Sequence, residues 1–344
     1  MKFESFFMRL FFSLFILFFP ILSFTEQKKV LIYFYGLGEY QWAKRLEKAF
    51  QSKDFTVKLH NGNPLDYDSG MKSIEKETLE TVDLDKLEKT FNPNLILELV
   101  QSAASTQHPN RWLIFHDPWR FDAFLKTGSK LNYHGLIIPF ETENHSDLKK
   151  SYKLIEGYPS HHLTSFKKLN YNHLFFCGFL WDEKRHSKMI KRVFYELTER
   201  KALSVYGPEK KWKFLKTGYK GYLPFEADSI LVATQKEGVS LILHSDQHLN
   251  AGIPTARIFE AAAASSVIIS DEHPFIKKHF GDTVLYINPN LKSAELTKAI
   301  LKHYEWVLKN PIEAQNKARK AHEIFCEKFA LETLIDKIVS EAFK

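Results

Sequence analysis

The sequence predicts an α/β protein of two Rossmann-like lobes facing a cleft, preceded by a hydrophobic N-terminal segment. Three observations predict it. At 344 residues the chain exceeds what one ordinary core supports. Short apolar runs alternate with stretches of helical spacing from residue 29 onward. Near residue 170 the alternation begins afresh with a further apolar run, HLFFCGF (173–179). Strand, turn, helix and strand repeated in this way build parallel sheets, and two such series build two lobes.

The composition, 44% hydrophobic and 26% charged, is that of a folded globular chain. A net charge of +7 can serve nucleic acid, an anionic membrane or phosphorylated substrates. The lysines are interspersed with acidic residues and no polybasic run or nucleic-acid module appears, so nucleic acid is not expected as a partner. Cys177 and Cys326 lie in apolar runs and read as buried thiols. Two cysteines exclude a disulfide framework, and no Cys/His spacing suggests zinc.

Each element follows in order. Residues 6–24, FFMRLFFSLFILFFPILSF, are apolar apart from Arg9 and two serines, and Lys2 and Arg9 give a positive start. The run approaches the roughly 20 residues of a membrane helix, and its exit, Ser23-Phe24-Thr25, matches a cleavage site poorly. Residues 1–25 are therefore expected to be a membrane anchor, with a cleaved signal and a secreted or periplasmic protein as the alternative. The first lobe, 26–168, opens on KKVLIYFYGLG and the helical EYQWAKRLEKAFQSK. The strands FTVKLHN, NLILELV (94–100), RWLIFHD (111–117) and YHGLIIPF (133–140) follow, and a helix around 144–156 closes the lobe. The second lobe, 169–310, runs from HLFFCGF through a helix near 184–200 to LSVYG, GYLPF, a helix near 226–236 and VSLILHS (239–245). A helix at 255–264, VIISD (267–271), VLYI (284–287) and a helix near 293–309 complete it. Residues 311–344 show helical spacing and form closing helices.

The most informative stretch is GIPTARIFEAAAASSVIISD (252–271). Pro254 suits a helix start and Thr255 a cap. The helix then begins with amides and a dipole that favour a diphosphate. Arg257 in the first turn can grip phosphate oxygens in pairs. Glu260, three residues on, shares its face and can accept from both hydroxyls of a ribose. An Arg–Glu pair on an exposed helix face is the plain alternative.

FFCGFLWDEKR, SVYGP, YKGYLPF, SLILHSD, GIPTARIFEAAAASSVIISD and FGDTVLYIN stand in the order found in the C-terminal lobe of the glycosyltransferase group 1 superfamily. The stretch from about 173 to 290 resembles that lobe, and is most similar to the spore-maturation-type branch. The resemblance implies the two-lobed GT-B fold, a nucleotide-sugar donor as substrate and no cofactor or metal. It implies that Glu260 binds the donor ribose and that Gly221 and Tyr222 lie beside the base. It implies further that Lys184 or Arg185 neutralises the diphosphate. Two departures stand out: Gly252 occupies a position where many of these enzymes carry a glutamate, and Ser265 replaces the usual glycine.

In the first lobe His116-Asp117 ends a strand, where ligands of open sheets bind. The pair resembles a histidine-aspartate pair whose histidine contacts the transferred sugar in the superfamily. A histidine there also suits a general base, while a capping Asp117 and a structural His116 are the alternative. Gly36 and Gly38 form a strand-to-helix turn, a candidate loop for phosphate or acceptor. Glu39 reads as helix-dipole stabilisation, and His161-His162 as a surface loop. Asp66-Tyr67-Asp68 mimics a metal-binding D-x-D in the wrong lobe and is set aside. The expected function is transfer of a sugar from a nucleoside diphosphate to a hydroxyl of a glycan, lipid-linked or protein acceptor, with retention and without metal. An exported two-lobed sugar-binding protein, a nucleotide-sugar epimerase and an inactive transferase are the rivals.

Overall fold

The computed structural model describes residues 27–62, 84–100, 107–116, 121, 123–124, 132–139, 146–178, 187–224 and 228–344. The expected anchor at 1–25 and the Asp66-Tyr67-Asp68 tripeptide lie outside them. Among the described residues no helix is long and apolar enough to cross a membrane.

The chain folds into two parallel six-stranded sheets. The first has β1 (Lys29–Phe34), β2 (Thr56–Asn61), β3 (Leu95–Glu98), β4 (Arg111–Ile114), β5 (Gly135–Ile138) and β6 (Lys153–Glu156) in the order β2-β1-β3-β4-β5-β6. The second has β7 (His173–Cys177), β8 (Leu203–Tyr206), β9 (Tyr219–Gly221), β10 (Gly238–Ile242), β11 (Val267–Asp271) and β12 (Leu285–Ile287) in the order β12-β11-β10-β7-β8-β9. Strands β3, β4, β5, β8, β10 and β11 are buried along their whole length. Central strands of parallel sheets are covered on both faces, which is why they read as continuous apolar runs.

The first sheet packs on the Leu37–Gln51 helix through Ala43, Leu46, Ala49 and Phe50. The same cluster takes in Leu331, Leu334, Ile335 and Ile338 of the C-terminal Leu331–Ala342 helix. The end of the chain therefore completes the core begun by its first strand. The Lys188–Glu199 and Ser293–Lys309 helices cover one face of the second sheet, and the Arg257–Ala263 helix the other.

The expected helix at 144–156 is shorter. It spans Ser146–Ser151 and gives way to β6, which pairs with β5 from Gly135↔Lys153 to Ile138↔Glu156. As an edge strand it buries only Ile155, so its apolar signal is weak. Two further helices, Asp246–Ala251 and Pro274–Phe280, follow strand ends in the second sheet. The Ser245 hydroxyl caps the first, accepting from the His248 amide at 3.3 Å. His273 caps the second through Nδ1, which accepts from the Phe275 amide at 3.2 Å.

Candidate active site

Strand order in the second sheet reverses between β7 and β10, the place where open α/β sheets bind ligands at the carboxyl ends of their strands. The Arg257–Ala263 helix lies against this edge, with Ala261, Ala262 and Ala263 buried on the sheet. Arg257 Nε donates to the carbonyl of Cys177 at the end of β7 (3.1 Å), and its Nη1 pairs with Glu260 Oε2. Glu260 is only 2% exposed.

The helix starts two residues later than expected, at Arg257 rather than at 255. Its cap is Ala256, with helical backbone angles and no side-chain cap hydrogen bond, and Thr255 contributes its carbonyl to Ile258 N at 3.3 Å. The expected capping role of Thr255 is thus corrected.

Glu260 has a second cation, and it comes from the other domain. Arg45 Nη1 and Nη2 each lie 3.1 Å from Glu260 Oε1, and Nη1 also donates to the Ser160 carbonyl at 3.3 Å. Burial opposes the charge on Glu260, but Arg257 and Arg45 outweigh it and hold the carboxyl below its ordinary range. Burial lowers the Arg45 guanidinium, and the Glu260 carboxylate works against that shift. His161 lies at the same junction, its Nε2 3.4 Å from Asp228 Oδ1. Burial, with Arg45 nearby, pushes its imidazole down to about 4. The expectation of a surface loop holds for neither histidine: His161 is buried, and His162 Nδ1 lies 3.0 Å from Glu332 Oε1.

The Leu37–Gln51 helix carries three side chains of this junction at intervals of three residues: Glu39, Trp42 and Arg45. Residues so spaced form one ridge of a helix. Trp42 meets His116 edge-on at 4.2 Å between ring centres and Tyr158 at 6.5 Å, and Tyr158 lies 4.8 Å from Phe259. An aromatic chain thus connects the end of β4 to the helix of Glu260. His116 is buried, with Nε2 4.0 Å from Glu39 Oε1. Gly36, at φ 78°, makes the turn ahead of the helix and donates its amide to Asn61 Oδ1 at 2.8 Å, with Gly38 in the first turn. A side chain at Gly36 would have to hold a left-handed conformation that glycine alone adopts freely.

Gly221 ends β9 at φ 106° and accepts from the Gly207 amide at 3.1 Å, and a Cβ there would meet nothing within 4 Å among the described residues. Burial raises the Tyr222 hydroxyl, and the Cys177 thiol adds to the rise, which places Tyr222 near the end of β7. Asp117, Lys184 and Arg185 lie outside the described residues. A second buried pair, His244 and Asp271, stands at the ends of β10 and β11, with Nδ1 and Oδ1 2.5 Å apart. Arg45, His161, His244 and Asp271 carry no local sequence signal of a site, and Glu39, beside the Gly36–Gly38 turn, reads in the sequence as helix-dipole stabilisation although the structure sets it 4.0 Å from His116.

The model of the family described as Glycosyl transferase-like matches residues 185–340. No curated protein matches the sequence. Among solved structures, a glycosyltransferase from Rickettsia africae ESF-5 is 11% identical with a TM-score of 0.58, over 93% of this chain and 100% of that one. An alpha-glucosyltransferase in complex with UDP and a mismatched 13-mer DNA is 11% identical with a TM-score of 0.62, over 92% and 100%. A UDP-GlcNAc 2-epimerase from Neisseria meningitidis bound to UDP-GlcNAc is 12% identical with a TM-score of 0.52, over 91% and 100%. At such identities the likeness is one of fold. Residues 185–340 thus carry the pattern of the glycosyl transferase-like family, within a two-sheet fold shared with glycosyltransferases.

Proposed function

We propose that the chain transfers a glycosyl group from a nucleoside diphosphate sugar to an acceptor hydroxyl, with retention, as the group 1 resemblance favours, and without metal, as is usual for the GT-B fold; its nearest likeness is the spore-maturation-type branch. One observation carries this reading: an ionised Glu260 beside Arg257 at the ligand-binding edge of the second sheet, inside the segment that matches the family model. A carboxylate accepts from both hydroxyls of a ribose, and a guanidinium binds diphosphate oxygens in pairs. Arg45 holds Oε1 and Arg257 holds Oε2, so an incoming ribose competes with two guanidinium groups for the lone pairs of one carboxylate. Arg45 comes from the Leu37–Gln51 helix beside the first sheet, so the contact bridges the two sheets. Arg257, together with Lys184 or Arg185 as the resemblance implies, neutralises the diphosphate and stabilises the charge that develops as it leaves. His116, with Glu39 beside it, stands where the acceptor hydroxyl and the transferred sugar meet. Gly221 and Tyr222 border the base, Gly36 and Gly38 the phosphate or acceptor, and residues 1–25 attach the enzyme to a membrane. The acceptor belongs to the glycan, lipid-linked or protein class.

The test is thermal denaturation of the full chain with UDP, GDP, ADP and dTDP. A ligand at a hundred times its Kd adds about 2.7 kcal/mol of stability, enough for a clear rise in Tm. No rise with any nucleoside diphosphate would overturn the reading. Epimerisation is the second reading, favoured by the Glu39–His116 pair, which sets a carboxylate beside an imidazole in the cleft. A sugar epimer without a glycosylated product would favour it over transfer. Binding without turnover would indicate an inactive transferase.

A further inference from the structure

We infer that His244, held by Asp271, contacts a hydroxyl of the transferred sugar; this rests on the proposed glycosyltransferase reading. His244 stands just beyond β10, next to the reversal with β7. Its backbone amide donates to Asp271 Oδ2 at 2.8 Å and its ring Nδ1 lies 2.5 Å from Oδ1, so the carboxylate grips the residue at two points. The side chain is fully buried. Its Nε2 nevertheless has no hydrogen-bond partner among the described residues. A buried polar atom left unpaired is costly, and native folds keep few of them. The ring borders a cavity of about 20 Å³ with Met189, Ile190, Leu243, Pro289 and Leu296. That is room for one oxygen-sized group.

The chemistry of the pair selects the group. A carboxylate has no proton to give, so Nδ1 carries the hydrogen, and in that tautomer Nε2 is the acceptor. A sugar hydroxyl can donate to it. A phosphate oxygen, an acceptor itself, cannot. Neighbouring His273, 4.5 Å away between ring centres, has both nitrogens engaged, with the His248 carbonyl and the Phe275 amide. His244 alone of the two has a nitrogen to offer. Asp271 acts as the positioning residue, fixing the tautomer and the ring plane as carboxylates do for histidines in other sites.

The experiment uses the full chain, the four nucleoside diphosphates above, and their glucose, N-acetylglucosamine and mannose conjugates with monodeoxy analogues. Wild type should prefer the parent sugar over one monodeoxy analogue by about tenfold or more, the net worth of one hydrogen bond. His244→Asn keeps an amide opposite Asp271 and removes Nε2. It should bind the free nucleoside diphosphate within about twofold of wild type, lose about tenfold on the conjugate, and no longer distinguish the analogue. Equal losses on diphosphate and conjugate would make His244 a phosphate contact and overturn the inference, as would no loss at all, the mark of a structural pair. Wild type that treats every monodeoxy analogue like its parent overturns it even where the variant does not fold. Failure of wild type to bind any nucleoside diphosphate or conjugate overturns the glycosyltransferase reading as well, so the two failures are distinguishable.

Discussion

Arg45 and Glu260 are 215 positions apart, yet both guanidinium nitrogens of Arg45 lie 3.1 Å from one oxygen of Glu260. Their side chains are 1% and 3% exposed. The contact joins the first helix of one domain to the ligand-edge helix of the other. It makes the ribose-binding candidate also a structural residue, since the same carboxylate neutralises the buried Arg45 and the half-buried Arg257.

Removing either partner should therefore cost stability. Loss of one member of a buried ion pair costs about 3–5 kcal/mol when the other is left uncompensated. Arg45→Met leaves Glu260 with Arg257, so its loss should fall at or below the lower end of that range. Glu260→Ala strands Arg45 beside Arg257, and its loss should be the larger. Urea denaturation of the two variants checks the order; equal or reversed losses would mean that the cross-domain pair contributes little.

The same geometry decides how nucleotide binding is tested. Glu260→Gln keeps the shape and removes the charge, and it should lower the affinity for any nucleoside diphosphate by at least about tenfold, the worth of one charge-assisted hydrogen bond. Arg45→Met should tighten that affinity, because the carboxylate no longer has to leave a competing guanidinium. Calorimetric titration of both variants, well below their melting temperatures, would show opposite changes. Weaker binding in Arg45→Met would instead make Arg45 a ligand contact.

How far the site could be read beforehand follows from the range of its interactions. Arg257 and Glu260 share one helix face, so their pairing is a local spacing and legible. Arg45 meets Glu260 only after both sheets have folded and packed, and nothing near AKRLEKAF marks it. His161 looked like part of a polar loop because its burial is supplied by Arg45 and the other domain. Central strands such as β4 and β11 are long apolar runs and were plain, whereas β6 buries one residue of four and continued a helical pattern. The masking is physical: edge strands and cross-domain contacts draw their stability from residues distant in sequence.

Stability should fall in mild acid. The His161 and His273 rings are both pushed down by burial from 6.5 to about 4. A histidine with a depressed folded pKa is fully stabilising above its unfolded value of 6.5, and that contribution is lost as pH falls toward 4. At pH 5 the loss is about 2 kcal/mol for each ring. Glu260, held below its ordinary range, adds a loss in the same direction below about pH 4.5. Tm measured from pH 7.5 to 5 should drop, and His161→Asn should flatten the slope.

His116 and Glu39 can be separated from the fold. His116 contacts Trp42 and stands 4.0 Å from Glu39, so neither relies on the other for a short ion pair. If the pair handles a proton, Glu39→Gln and His116→Asn should each lower kcat by about 10²–10⁴ with little change in KM. Two variants that alter Tm and leave turnover intact would return His116 to a structural role.

The C-terminal helix tests whether the chain end belongs to the first domain. A Cβ at Gly157 would lie 2.4 Å from Leu334 Cδ1, and Leu334 packs in the first-sheet core. Gly157→Ala should therefore destabilise by about 1–3 kcal/mol through overpacking, and Leu334→Ala by about 2–5 kcal/mol through a cavity. In the double variant the new methyl enters space that Leu334 vacated. Its loss should be smaller than the sum of the two by at least about 1 kcal/mol, since contacting sites are non-additive. Strict additivity in chemical denaturation would mean that the Leu331–Ala342 helix does not press on the β6–β7 connection in solution. The coupling, by contrast, would show that the end of the chain packs against the β6–β7 connection and belongs to the first-sheet core.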